Sequence, residues 1–239
     1  RQRPHDMSRE EEATRASRKP KISLKYFDIE GAAEKVRLAL KIGGIQFEDE
    51  RFPFKDWAEE RQKTPYGQVP TMTVDGDQNT QSYAMFRYAG RLSGLYPDDP
   101  YEAFKIDQVV ELELDIRYWI RTSMEVTRSA KLLGHKEDIT EEEAKEAQQR
   151  SRAELVKDKL PRYLGYFEDL LTKNPAGWCV GDKMTIADIA WHGLIRWLDL
   201  GLLDGIPSDF SQRYSKITEW MKRMYAHAVL AEHYKDKKK

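Results

Sequence analysis

Along Lys21–Phe27 (KISLKYF), Ile22, Leu24 and Tyr26 alternate with their neighbours, the period of a half-buried strand. The spacing then changes. Ala33–Ile42 carries Val36, Leu38, Ala39, Leu40 and Ile42 at helical intervals, and Gly43-Gly44 closes the segment. Gln46–Phe52 reads as a second strand, and Lys55–Lys63 as a short polar helix that carries Trp57. After Val69-Pro70 come a strand at Thr71–Val74, a turn at Asp75-Gly76-Asp77 and a short strand near Gln78–Thr80. Ser82–Ser93 predicts a third helix, so the order is βαβαββα.

Beyond the Pro- and Asp-rich segment Leu95–Tyr101, the pattern predicts helices alone. A long helix runs from Phe104 to about Lys131, with Ile106, Val109, Val110, Leu112, Ile116, Trp119 and Ile120 as its apolar side. Thr140-Glu-Glu-Glu143 is a capping box opening a very charged helix, and Pro161–Leu171 continues or follows it. A second capping box, Thr185-Ile-Ala-Asp188, opens Ile186–Leu200, which is apolar nearly all round and predicts a buried central helix. Ile217–Ala226 is the last clear helix. The expected organisation is an N-terminal extension over 1–20, an α/β domain over 21–97, and a linker over 98–102. An all-helical domain over 103–232 and a lysine-rich tail over 233–239 complete it.

Composition narrows the function classes. The 40 Lys and Arg against 41 Asp and Glu leave no basic field to hold nucleic acid. No apolar run approaches the roughly 20 residues that span a bilayer. The single cysteine, Cys179, rules out an internal disulfide framework and suits a reducing compartment. The histidines (His5, His135, His192, His227 and His233) show no metal-ligand spacing, so no metal is expected. Residues 1–20 are dense in both charge signs, lack an apolar period and read as disordered. They lack the apolar stretch of a signal peptide, although a chain beginning without methionine leaves room for a targeting segment upstream.

The candidate chemistry sits in the first domain. Tyr26 ends the first strand at the edge where open α/β sheets bind ligands, and its hydroxyl can donate one hydrogen bond to an anion such as a thiolate. The competing reading is a tyrosine that simply packs at a strand end. Val69 is held extended by Pro70, and the Val-Pro bond belongs to the one class with an appreciable cis population. Its backbone is then open to pair with an extended ligand, unless the proline marks an ordinary turn. Ser82, as N-cap, leaves free N–H groups that can seat a carboxylate, against simple capping. Trp57 is either part of such a site or an aromatic anchor for a polar helix.

Taken in order, these residues resemble the cytosolic glutathione transferases, closest to the tyrosine-type sigma class that includes glutathione-dependent prostaglandin D synthases. The resemblance is carried by Lys25-Tyr-Phe, Glu34 and Arg37, Asp56-Trp57, Pro65-Tyr-Gly-Gln-Val-Pro70, Gln81-Ser82 and Thr185-Ile-Ala-Asp188. It runs from about Lys21 to about Tyr225. It implies a thioredoxin-like first domain with a mixed four-stranded sheet, an all-α helical-bundle second domain, and a cytoplasmic homodimer that uses glutathione as co-substrate. Tyr26 would hold the thiolate, Val69 would pair with the cysteinyl backbone beside a cis Pro70, and Gln81 and Ser82 would hold the γ-glutamyl group. Trp57, Gln68 and a cation would hold the glycine carboxylate; Arg61 fits that cation by spacing, with Lys63 second. Asp115 would reach the partner subunit's ligand. Phe27, Tyr118, Trp119 and Thr122 would line the place of a small hydrophobic electrophile.

One position departs from the family pattern: an arginine is often found six residues after the tyrosine, and here that residue is Ala32. Two readings therefore stand beside conjugation. One is a catalytically weak ligand-binding or structural dimer; the other is a glutathione-dependent prostaglandin isomerase. Cys179 does not lie at the start of the first helix, which argues against the cysteine-type transferases.

Overall fold

In the computed structural model, residues 19–126 and 139–237 are described. Parts of three sequence expectations lie outside them: most of the extension, the long helix beyond Val126, and the end of the lysine tail. Two compact units part between Ala89 and Gly90.

The first unit follows the expected order. Strands β1 (Ile22–Phe27), β2 (Glu48–Phe52), β3 (Thr71–Val74) and β4 (Asp77–Asn79) form one sheet in the order β2-β1-β3-β4. β1 and β2 are parallel, with Tyr26 opposite Arg51, while β1–β3 and β3–β4 are antiparallel. Helix α1 (Glu34–Ile42) follows β1 through a 3₁₀ turn at Gly31–Ala33, so the first helical residue is Glu34 rather than Ala33. The polar segment after β2 is a succession of short turns around α2 (Trp57–Glu60), and α3 (Ser82–Leu92) closes the motif. Alternation buries Ile22, Leu24 and Tyr26 on one face of β1, where Val36, Leu40, Met72 and Phe86 complete the core.

The second unit is helical: α4 (Pro100–Glu125), α5 (Glu141–Glu154), α6 (Leu160–Lys173), α7 (Ile186–Asp199), α8 (Ser215–Ala226) and α9 (Ala228–Tyr234). Three details correct the sequence reading and one, the join of α5 to α6, sharpens it. α4 starts at Pro100, inside the expected linker, because Asp99 accepts from the N–H groups of Tyr101 and Glu102 at 3.0 and 2.9 Å and proline suits the first turn. Its buried face takes Glu113 in place of Leu112 and Trp119. Glu113 is covered completely and accepts from Arg117 Nε at 2.6 Å, whereas Trp119 is 39 % exposed. A π-helical turn, Leu155–Lys159, joins α5 to α6, and α9 adds a helix beyond Ala226.

Both capping boxes form, in opposite surroundings. That of Thr140 and Glu143 is exposed. That of Thr185 and Asp188 is buried, and α7 behind it fills the centre of the unit, with Trp191 stacked on Phe167 at 4.1 Å. Asp188 accepts from Cys179 N–H at 2.9 Å, Thr185 N–H at 2.9 Å and Trp220 Nε1 at 3.0 Å. Burial pushes its carboxyl above the ordinary range, and those donors oppose the shift.

Candidate active site

Tyr26 is 9 % exposed at the end of β1, so its ring belongs to the core while its hydroxyl reaches the edge. That hydroxyl accepts a hydrogen bond: Ala32 N–H donates to Tyr26 Oη at 3.2 Å. An oxygen whose lone pair takes a backbone proton is left with its own O–H to donate. The chain approaches the ring closely here. Gly31 has φ +46°, and a Cβ at that position would lie 2.6 Å from Tyr26 Cε1 and 2.8 Å from Oη, so only glycine fits. Ala32 therefore supplies a donor through its backbone, which needs no side chain.

The Val69–Pro70 peptide bond is cis, and the β1–β3 register, in which Lys25 faces Thr71, brings Pro70 to the side of Tyr26. Val69 is half-buried and Pro70 buried. At the far end of the β3–β4 hairpin, Gln81 takes φ +71°, a left-handed backbone that non-glycine residues adopt rarely. Its carbonyl accepts the first helical bond, from Met85 N–H at 3.0 Å. Gln81 is thus the capping residue of α3, and Ser82 stands at the first helical position rather than at the cap. The Gln81 amide donates to Gln68 Oε1 at 3.4 Å, which brings the two glutamines together across the Val69–Pro70 turn.

The two candidate cations differ. Lys63 is held by Glu59 at 2.6 Å and Glu60 at 3.0 Å, and those hydrogen bonds raise its pKa. Arg61 instead lies along Gly67, its Nε 3.1 Å from where a Cβ would stand, next to Gln68. Trp57 packs in an aromatic cluster with Phe27 at 5.4 Å and Phe52 at 6.4 Å, and Phe27 stacks on Phe54 at 4.4 Å. Phe27, the next residue, sets its ring edge-on to that of Tyr26 at 5.4 Å.

In the second unit, Asp115, Tyr118, Trp119 and Thr122 share one side of α4 by their spacing. Asp115 is exposed beside Phe104, Asp107, Gln108, Glu111 and Leu112, which line a shallow groove. Lys159, from the π-helical turn, covers the Trp119 ring at 4.6 Å. Among the described residues no group of three or more His, Cys, Asp or Glu side chains is placed to hold a metal ion.

Residues 22–91 match the family description "Glutathione S-transferase, N-terminal domain", and residues 136–237 match "Glutathione S-transferase, C-terminal domain". Glutathione S-transferase 2 of Manduca sexta is 34% identical over 75% of this chain and 79% of its own. This chain belongs to the glutathione S-transferase family. Glutathione S-transferase 1 of Ascaris suum is also 34% identical, over 74% of this chain and 82% of its own. The solved structure of prostaglandin synthase D of Nilaparvata lugens superposes with a TM-score of 0.74 at 25% identity, covering 92% of this chain and 99% of that one.

Within this transferase fold, sequence reasoning missed the Ala32 amide and the residues that hold its loop, Asp49 and Arg51. The one signal available was Gly31, a glycine placed just ahead of a helix that begins behind the tyrosine.

Proposed function

We propose that this chain conjugates glutathione to small hydrophobic electrophiles, with Tyr26 donating its hydroxyl proton in a hydrogen bond to the glutathione thiolate. The observation that carries the reading is the bond from Ala32 N–H to Tyr26 Oη, which orients the phenol while leaving its proton available. The thiol gives its proton to solvent, the sulfur bonds to an electrophilic carbon, and the leaving group departs with the bonding pair. Val69 pairs with the cysteinyl backbone, and Gln81 and Ser82 hold the γ-glutamyl end at the start of α3. Arg61, with Trp57 and Gln68, receives the glycine carboxylate; the pairing of Lys63 with two glutamates favours Arg61 for that role.

The chain acts as a homodimer in this reading, and Asp115 serves the partner's site. The exposure of Tyr101 and Phe104, neighbours on α4, supports a contact surface for a second copy. Phe27, Tyr118, Trp119 and Thr122 meet the electrophile. A buried lone cysteine agrees with a cytoplasmic protein, and no helix among the described residues is long and apolar enough to cross a membrane. The likeness to the Nilaparvata lugens prostaglandin synthase D favours a second reading, of sigma-class character, in which the same thiolate serves prostaglandin isomerisation.

Steady-state kinetics with an aromatic halide test the first reading. Tyr26→Phe lowers kcat/KM about 100-fold, or ~2.7 kcal/mol of transition-state stabilisation, while calorimetric affinity for glutathione stays within about threefold. Equal turnover by both proteins would remove Tyr26 from the chemistry.

A further inference from the structure

The amide that orients Tyr26 belongs to the loop between β1 and α1, residues 28–33, and that loop is held from one side by a chain of charged groups. Arg37, in α1, is fully buried. Its Nη1 donates to the carbonyl oxygens of Ile29 at 2.8 Å and Glu30 at 3.1 Å. Its Nε donates to Asp49 Oδ1 at 2.9 Å. The other oxygen of Asp49 accepts from Arg51 Nε at 2.9 Å and Nη2 at 2.8 Å, and Arg51 Nη1 reaches Asp28 Oδ1 at 3.2 Å. Asp49 thus bridges two arginines, one gripping the middle of the loop and one gripping its first residue.

Several features tie this bridge to the phenol rather than to the fold in general. The Arg37 guanidinium lies 5.9 Å from the centre of the Tyr26 ring. Its Nη2 is buried without a hydrogen-bond partner among the described residues, so the group is set for the loop carbonyls at the expense of its own saturation. Two further charges near it are Glu34, paired with Arg37 Nη1 at 3.3 Å, and Lys35, which donates to the Ala32 carbonyl at 3.2 Å. The latter fastens the far end of the loop. Since Gly31 already touches the ring edge, a small drift of this backbone moves the Ala32 amide off the phenol oxygen. Hydrogen bonds weaken steeply with such misalignment.

We infer that Asp49, by bridging Arg37 and Arg51, is a positioning residue that keeps the Ala32 amide on Tyr26 Oη and the Tyr26 proton aimed at the bound thiolate. This rests on the tyrosine reading above. Asp49 and Arg51 touch neither glutathione nor the reacting sulfur; they act through the loop.

The test compares Asp49→Asn, Arg51→Met and Tyr26→Phe with the unaltered full chain, using the pH profile of kcat/KM and glutathione affinity. The Arg51 and Asp49 side chains are 29 % and 24 % exposed, so both replacements fall at a partly open surface. Both bridge variants shift the pKa limiting kcat/KM upward by about one unit, which lowers kcat/KM about tenfold at pH values below it. Their high-pH plateau and glutathione affinity stay within about threefold, and Arg51→Lys recovers at least half of the shift. A lower plateau with an unmoved pKa would mean a purely structural role and overturn the inference. If Tyr26→Phe shifts the profile and neither bridge variant does, the bridge fails alone. If Tyr26→Phe leaves the profile unmoved, the tyrosine reading fails and the bridge with it.

Discussion

Asp188 in the helical unit and Tyr26 in the α/β unit are both polar side chains set into a core and addressed by backbone N–H groups. They differ in what is left over. Around Asp188, the donors from Cys179, Thr185 and Trp220 fill the carboxylate, and the result is a closed knot at the start of α7. Around Tyr26, one donor occupies the oxygen and the phenol proton stays available. A saturated polar centre stabilises a unique core, whereas one with a donor to spare can act on a ligand. The contrast separates the residues expected to control folding from those expected to control turnover.

The largest effect belongs to the closed knot. Asp188→Ala strands three buried N–H donors and is expected to cost about 3–5 kcal/mol of stability, read by chemical denaturation. Loss of turnover in that variant follows loss of folded protein; a stable but inactive Asp188→Ala would erase the distinction. A smaller effect sharpens the same region. Burial, followed by the charge of Asp188 and a hydrogen bond to it, pushes the Cys179 thiol well above its ordinary range. Because the folded value is raised, its contribution to stability is full below the unfolded pKa and declines as pH rises from there toward the folded one. In that window the unaltered protein loses about 1.4 kcal/mol per pH unit relative to Cys179→Ala, measured as paired denaturation midpoints from pH 8 to 11. Parallel curves for the two proteins would show that the thiol is not shielded.

How far each region was legible in the sequence follows from the range of its interactions. The Asp188 knot is largely local: Thr185 and Asp188 are three residues apart, and the capping box is written in that spacing. The succession of strands and helices along the first unit, the Val69–Pro70 turn and Tyr26 near the end of β1 are likewise set by short-range pattern. The Tyr26 loop is not. Its amide donor is a backbone atom of an unremarkable alanine, and its supports, Asp49 and Arg51, come from β2 through the parallel pairing of Tyr26 with Arg51. A buried Glu113 was hidden for a similar reason: apolar periodicity selects Leu112, while the partner Arg117, one turn on, lets a carboxylate go inside. The left-handed backbone of Gln81 carries no residue signal, since glycine or asparagine is the usual mark of that conformation.

In the proposed reaction the phenol of Tyr26 stabilises the thiolate of bound glutathione. Ultraviolet titration of thiolate absorbance in the glutathione complex, unaltered protein beside Tyr26→Phe, measures this without an electrophile. The thiol pKa is expected at least one unit below the ~8.5 of a free cysteine thiol in the unaltered protein, with a return toward that value in Tyr26→Phe. Titration near 8.5 in both proteins, with glutathione demonstrably bound, would contradict it.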